Sequence, residues 1–92
     1  MIALRMEEAF ERFDRENPEV YRLLLRFAYE IRSIGRDRFG IDLLWSRVRW
    51  EYLTRDTTEP YKLNNNHRAF YARKIMAEHP EFAGFFETRA QR

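Results

Sequence analysis

Apolar residues recur in the first third of the chain at the three- and four-residue spacings of amphipathic helices. The first stripe consists of Met6, Ala9, Phe10 and Phe13, which predicts a helix over residues 4–15. Asn17-Pro18-Glu19 then places an N-cap residue before a proline and a first-turn acid, so we expect a second helix over 18–34. Gly35 is its predicted stop. The core stripe of this helix is predicted to be Val20, Leu23, Leu24, Phe27, Ala28, Ile31 and Ile34.

A third helix, predicted over 41–53, is apolar on two sides, which is typical of a central helix or of an interface. Its main stripe is Ile41, Leu44, Trp45, Val48 and Tyr52, whereas Leu43, Trp50 and Leu53 fall on the opposite side. Trp45 and Trp50 point about 140° apart on a helix, so Trp50 needs a cover of its own. We expect the N-terminal helix to cover it. A homodimer through Leu43 and Trp50, or a patch left open for a partner, are the alternatives.

The stretch from 54 to 66 is rich in Thr, Asp, Pro and Asn and is expected to form an ordered loop or a small wing-like hairpin. A fourth helix is predicted over 66–78, capped by the asparagine run and ended by His79-Pro80. Its inward stripe is Ala69, Ala72, Ile75 and Met76, and Phe82, Phe85 and Phe86 close the core. The pattern predicts one all-α domain over 1–92, a compact bundle of four to five helices that is helix-turn-helix-like.

Composition supports a folded protein, because 45% of the 92 residues are hydrophobic and 16% are aromatic. The chain has no cysteine, which excludes a disulfide framework, a cysteine-ligated zinc site and thiol catalysis. It has no apolar run of the roughly 20 residues that a membrane span needs, and no signal-peptide pattern. We therefore expect no membrane contact.

Catalytic patterns are missing from the sequence. His67 and His79 are 12 positions apart on one predicted helix, a rise of about 18 Å, so they cannot share a metal ion within one chain. No H-x-x-x-H, G-x-S-x-G or P-loop pattern occurs. The sequence predicts a non-enzymatic protein without metal or cofactor.

The charges are unevenly distributed. Residues 32–75 carry eight arginines and two lysines against five acids, whereas residues 1–31 carry five arginines against seven acids. Arginine binds carboxylates and phosphates through a planar fork, so the central segment fits either an acidic protein or a nucleic acid. The simpler explanation of the many arginines is that they lie on solvated helix faces of a protein from a GC-rich genome.

The fourth helix carries the predicted binding surface. A helical wheel places Asn66, His67, Phe70, Arg73 and Lys74 outward, a set that suits a helix in the DNA major groove. Arg36, Arg38 and Lys62 would add contacts to the DNA backbone. A solvated helix face or an acidic protein partner are the alternatives. The link of about 12 residues between the third and fourth helices argues against a simple helix-turn-helix motif.

Four segments resemble a family of small phage and prophage proteins. They are residues 17–32 (NPEVYRLLLRFAYEIR), 40–51 (GIDLLWSRVRWE), 61–76 (YKLNNNHRAFYARKIM) and 82–89 (FAGFFETR). The resemblance implies a bacterial or phage origin and the cytoplasm of a bacterial host cell, and it assigns no catalytic residue. In that family the position of Phe70 is often basic, so a phenylalanine there favours a protein contact.

Two functions follow from the sequence. The leading prediction is a DNA-binding module with a regulatory or accessory role in phage biology. The alternative is a small phage protein that binds and inhibits a host protein, as an anti-defence or host-takeover factor. A structural homo-oligomer is a third possibility.

Overall fold

The computed structural model describes residues 2–55 and 65–86. These residues form four α-helices, in agreement with the predicted all-α fold, and no strand. The helices are α1 (Ile2–Glu16), α2 (Pro18–Ser33), α3 (Ile41–Arg55) and α4 (Arg68–Glu78), with single 3₁₀ turns at Asn65–His67 and Pro80–Phe82. The predicted wing and Lys62 lie outside the described residues.

The junction between α1 and α2 is a single residue, Asn17. Its backbone N–H and its side-chain amide both donate to the carbonyl oxygen of Phe13, at 2.8 and 3.0 Å. Asn17 therefore binds the last turn of α1, and its side chain makes no capping hydrogen bond to α2. The predicted N-cap role is wrong in this respect. The first turn of α2 still begins at Pro18, which has no N–H to satisfy.

The turn between α2 and α3 begins as predicted at Gly35, whose φ of 95° lies in the left-handed region that glycine adopts without a Cβ clash. The turn is held against the C-terminal segment at Phe39. The Phe39 N–H donates to the carbonyl oxygen of Phe85 at 2.8 Å, and Phe39 forms an isolated parallel bridge with Phe86.

The core lies between α2, α3, α4 and the segment that follows α4. All five residues of the predicted α3 stripe are buried, and so are five of the seven predicted in α2. Ile31 is half-buried. Ile34 is 72% exposed, so its predicted core position is wrong, because it follows the last turn of α2 and points away from the bundle. The buried aromatic residues are Phe10, Phe27, Trp45, Tyr52, Tyr71, Phe82, Phe85 and Phe86.

The N-terminal helix is attached to the bundle through its C-terminal half. Phe10 is buried and Phe13 is half-buried, but Met6 and Ala9 are exposed, contrary to the predicted stripe. The aromatic rings of α1 pack on α4 and on the 3₁₀ turn that precedes it. As a result α1 does not cover Trp50, and the expected intrachain cover for that residue is wrong.

Candidate protein-binding face

The α4 face predicted to read DNA is largely covered by α1. The Phe13 ring stacks on His67 with centroids 4.8 Å apart, and the Phe10 ring stacks on Phe70 at 5.1 Å. His67 is only 5% exposed, so its predicted outward orientation is wrong.

Lys74, the lysine on this α4 face, is also paired within the protein. The ammonium group of Lys74 pairs with the carboxylate of Asp14 of α1, and both side chains are mostly buried. The same ammonium lies 4.3 Å from the centroid of the Tyr21 ring. Lys74 is thus part of the contact between α1, α2 and α4 and is not directed toward solvent.

The orientation of α4 differs from the helical wheel because Tyr71 belongs to the core. Tyr71, Ala72 and Ile75 are buried, whereas Ala69 and Met76 are only half-buried. A stripe of Tyr71, Ala72 and Ile75 has ordinary helical spacing and would have given the correct rotation. The predicted stripe contains the smaller residue Ala69 in place of Tyr71.

The remaining predicted contacts are exposed but dispersed. Arg73 is exposed on α4, and its guanidinium lies 5.0 Å from the Phe70 ring centroid. Asn66 is exposed in the 3₁₀ turn before α4. Arg36 and Arg38 are exposed in the turn between α2 and α3, and neither side chain makes an ion pair within residues 2–55 and 65–86.

A more prominent surface lies on α3. We call the residues Leu43, Ser46, Arg47, Trp50 and Leu53 the α3 outer face, because their spacing puts them on the side of α3 opposite its core stripe. Leu43, Trp50 and Leu53 are 63%, 64% and 64% exposed. Three large apolar side chains on one exposed helix face are uncommon in a monomer and mark interaction surfaces.

A cavity of about 360 Å³ opens between α2 and α3 beside this face. Its apolar lining comes from Phe27 and Ile31 of α2, from Phe39 of the turn, and from Leu43 and Leu44 of α3. Its polar lining residues are Glu30, Ser46 and Arg47. Because Leu43, Ser46 and Arg47 also belong to the α3 outer face, the cavity and the face form one continuous surface.

Arginines border this surface. The guanidinium carbon of Arg47 lies 4.4 Å from the centroid of the Phe27 ring, and that of Arg26 lies 6.0 Å from the same ring. These are cation–π distances, so the buried ring helps to position both cations. Arg47 also faces Glu51 at 3.9 Å, a long ion pair between two partly exposed side chains. The surface therefore combines apolar contact area with cationic groups.

Three groups with shifted pKa values lie where α1, α2 and α4 pack against one another. Burial lowers the pKa of His67, and burial together with the charge of Asp14 raises the pKa of Tyr71. Burial and the hydrogen bond from its hydroxyl to Glu78 raise the pKa of Tyr21. All three groups are neutral near pH 7, as expected for side chains packed in the interface between helices.

Within the part of the chain that the structure describes, no three His, Cys, Asp or Glu residues are close enough to hold a metal ion. None of the described helices is long and apolar enough to cross a membrane. No protein family, curated protein or solved structure matches this chain. The similarity to phage proteins remains a prediction from the sequence motifs quoted above.

Proposed function

We propose that this protein is a non-enzymatic protein-binding module that docks an acidic partner protein on the α3 outer face. The observation that carries the proposal is the exposure of Leu43, Trp50 and Leu53 on the side of α3 opposite the core. If the resemblance to phage proteins holds, the partner is a host protein, and the bound module blocks its activity.

The energy available at this face fits a binding site. Burying one leucine or similar side chain contributes about 1.5–3 kcal/mol. Covering the exposed parts of Leu43, Trp50 and Leu53 would therefore contribute on the order of 5 kcal/mol before the costs of association. Tryptophan and arginine are enriched among the residues that dominate interface energies, and Trp50 lies one helical turn from Arg47.

The charge around the face favours an acidic partner over a second copy of the chain. The charges at the face itself are mixed, because Arg47 pairs with Glu51 and Glu30 lines the adjoining cavity. The segment 32–75, which contains the face, carries ten cations against five acids. Like charges across an interface are unfavourable, whereas carboxylates of a partner complement them. An acidic protein is therefore the better fit to the described surface.

Affinity capture with matched variants tests this function. The immobilised protein is exposed to a nuclease-treated bacterial lysate, and the retained proteins are identified and purified. We expect an acidic protein at a one-to-one ratio, retained by the wild type and by Arg36→Ser/Arg38→Ser but lost from Leu43→Ser/Trp50→Ser. The purified partner is then tested with each purified variant. If the Leu43→Ser/Trp50→Ser variant still retains it, the proposal is wrong.

DNA binding remains the second candidate, and exposed arginines in the turn between α2 and α3 favour it. Arg36 and Arg38 are two of the predicted DNA contacts that α1 does not cover, and neither makes an ion pair within the described residues. If DNA binds, a long duplex should shift at about 50 mM salt and be released as salt increases. Arg36→Ser/Arg38→Ser should weaken this shift. Two results would contradict DNA binding through these arginines. One is that the duplex does not shift at all, and the other is that only Leu43→Ser/Trp50→Ser removes the shift.

A further inference from the structure

We infer that α1 is a pH-sensitive cover, which lies on the α4 face at neutral pH and detaches from it when His67 is protonated. The inference is independent of the protein-binding face on α3. Three observations carry it: the small area by which α1 is attached, the single-residue junction between α1 and α2, and the imidazole that α1 encloses.

The attachment of α1 to the bundle is small. Among residues 5–16, Phe10 is buried, Phe13 and Asp14 are half-buried, and the others are exposed. The remaining residues of the core cluster come from α2, α3, α4 and the segment after α4. Because the core of the other helices is largely complete without α1, detachment of this one helix needs less free energy than unfolding of the whole domain.

The junction to α2 allows α1 to move as a unit. Asn17 has φ −133° and ψ 62°, which interrupts the helical path between α1 and α2. Its backbone N–H donates to the carbonyl of Phe13 in α1, and its own carbonyl accepts from the N–H of Val20 in α2. Rotation about the backbone of Asn17 can therefore redirect α1 without breaking the main-chain hydrogen bonds within either helix.

The imidazole beneath α1 makes the closed position sensitive to pH. His67 is 5% exposed, its ring stacks on Phe13 at 4.8 Å, and the Phe10 ring lies 6.0 Å away. Its Nδ1 has no hydrogen-bond partner among the described residues. A buried polar atom without a partner already opposes closure, and a charged imidazole between apolar rings is far less favourable still. Protonation therefore favours the detached position, in which water solvates the ring.

The charges of the neighbouring elements do not offset this cost. The titratable and charged groups on these elements are Asp14 of α1, Asp42 and Arg49 of α3, and Arg68, Tyr71 and Lys74 of α4. Asp14 pairs with Lys74, and Asp42 pairs with Arg68 at 3.0 Å. Burial lowers the pKa of His67, and no carboxylate of the described residues raises it.

Detachment changes the charge of the α4 face. Asp14 leaves with α1, so Lys74 loses its counter-ion, and protonated His67 adds a further cation. Phe70 loses the ring that stacks on it, beside the exposed Arg73. The cover therefore controls access to a cationic and aromatic surface, which is the surface that the sequence predicted to bind DNA.

Hydrogen exchange of backbone amides in the full chain tests the cover. An isolated helix of 15 residues is marginal in water, so the amides of α1 exchange when it detaches. After correction for intrinsic exchange rates, we expect α1 to be less protected than α3 at pH 7.5. At pH 5.5 the protection of α1 should fall by about five- to tenfold more than that of α3, because the detached imidazole takes up its proton near pH 6.5.

Three variants assign the effect to His67. His67→Phe keeps a stacked ring that cannot be protonated, so the additional loss of α1 protection at pH 5.5 should disappear. His67→Gln should also remove it, with lower α1 protection at both pH values because the stacked ring is lost. His79→Gln is the matched control and should keep the wild-type response, since the His79 ring lies beside Tyr21 and Tyr29 of α2.

Three results would overturn the inference. The first is that α1 and α3 lose protection by the same factor between pH 7.5 and pH 5.5, which would mean that α1 opens only with the whole domain. The second is that the protection of α1 in the wild type does not change with pH. The third is that His67→Phe keeps the wild-type response, which would assign the pH dependence to another group.

Discussion

Trp45 and Trp50 lie on the same helix and have opposite environments. Trp45 is 2% exposed, and its indole N–H donates to the side-chain oxygen of Asn65 at 3.2 Å, whereas Trp50 faces solvent. The sequence distinguished their directions through the 140° between them. The sequence could not show what covers Trp50, because the answer depends on whether α1 packs on α3 or on α4.

The two tryptophans should therefore differ in their effect on stability. We predict that Trp50→Ala changes the free energy of unfolding by no more than about 0.5 kcal/mol, as for other surface substitutions. Trp45→Ala removes a buried ring and should cost about 3–5 kcal/mol. Denaturant unfolding of both variants measures the difference. A large loss in Trp50→Ala would mean that the ring is covered within the chain after all.

His67 should make the stability of the protein depend on pH. Its imidazole is buried between the Phe10 and Phe13 rings, and burial lowers its pKa in the folded state below the ordinary value of about 6.5. The unfolded chain therefore binds a proton before the folded one does as the pH falls. The stability conferred by neutral His67 is complete above about pH 6.5 and is lost as the pH decreases toward the lowered pKa.

The matching measurement is the free energy of unfolding at pH 7.5 and pH 5.5 for three proteins. The wild type and the control His79→Gln should both lose stability at the lower pH. His67→Gln should lose less, since it has no proton to bind. An equal loss in His67→Gln and the wild type would show that other groups cause the pH dependence.

At the scale of the helices, the hydrophobic pattern predicted the four helices and most of their bounds. Proline at the start of α2 and glycine after its end are local signals, so these bounds follow from the sequence. The predicted rotation of α4 was wrong, although the buried residues Tyr71, Ala72 and Ile75 have helical spacing. Tyr71 carries a polar hydroxyl that weakens its apolar signal, and the 3₁₀ turn before α4 places His67 inward.

This rotation changes what substitutions on α4 should do. Lys74 pairs with Asp14 in a mostly buried site, while Arg73 is exposed beside Phe70. We predict that Lys74→Met lowers the free energy of unfolding by about 1 kcal/mol, because the Asp14 carboxylate loses its counter-ion. Arg73→Met should leave it nearly unchanged.

Thermal or denaturant unfolding of the two α4 variants decides this point. Similar stabilities for Lys74→Met and Arg73→Met would mean that α1 is not held on α4 by the ion pair. The stacking of Phe10 on Phe70 and of Phe13 on His67 would then be the contact that holds α1 on α4.

At the scale of the whole molecule, the α3 outer face is an uncovered apolar surface within the described residues. The sequence predicted its residues correctly, since an α3 that is apolar on two sides indicates either a central helix or an interface. The cavity beside it was not predictable, because it arises from the packing of Phe39 and the α2 stripe against α3. The arginines at Phe27 are likewise brought together only by the fold.

The charges around this surface also affect self-association. We predict that the isolated protein sediments as a monomer at micromolar concentration and about 100 mM salt, because the net positive charge of the segment 32–75 that contains α3 opposes its pairing with a second copy. Sedimentation velocity over a range of concentrations measures this. A stable dimer that Trp50→Ser converts to a monomer would identify a second copy, and not an acidic partner, as the occupant of the face.

The central claim is that a partner protein covers the α3 outer face, and Trp50 itself reports on it. Trp50 is exposed and Trp45 is buried, so the red-shifted part of the tryptophan emission comes from Trp50. When the purified acidic partner is added, we predict that this emission shifts to shorter wavelength and becomes protected from acrylamide, and that Trp50→Phe abolishes the change. A saturated complex in which Trp50 emission and quenching are unchanged would contradict the account.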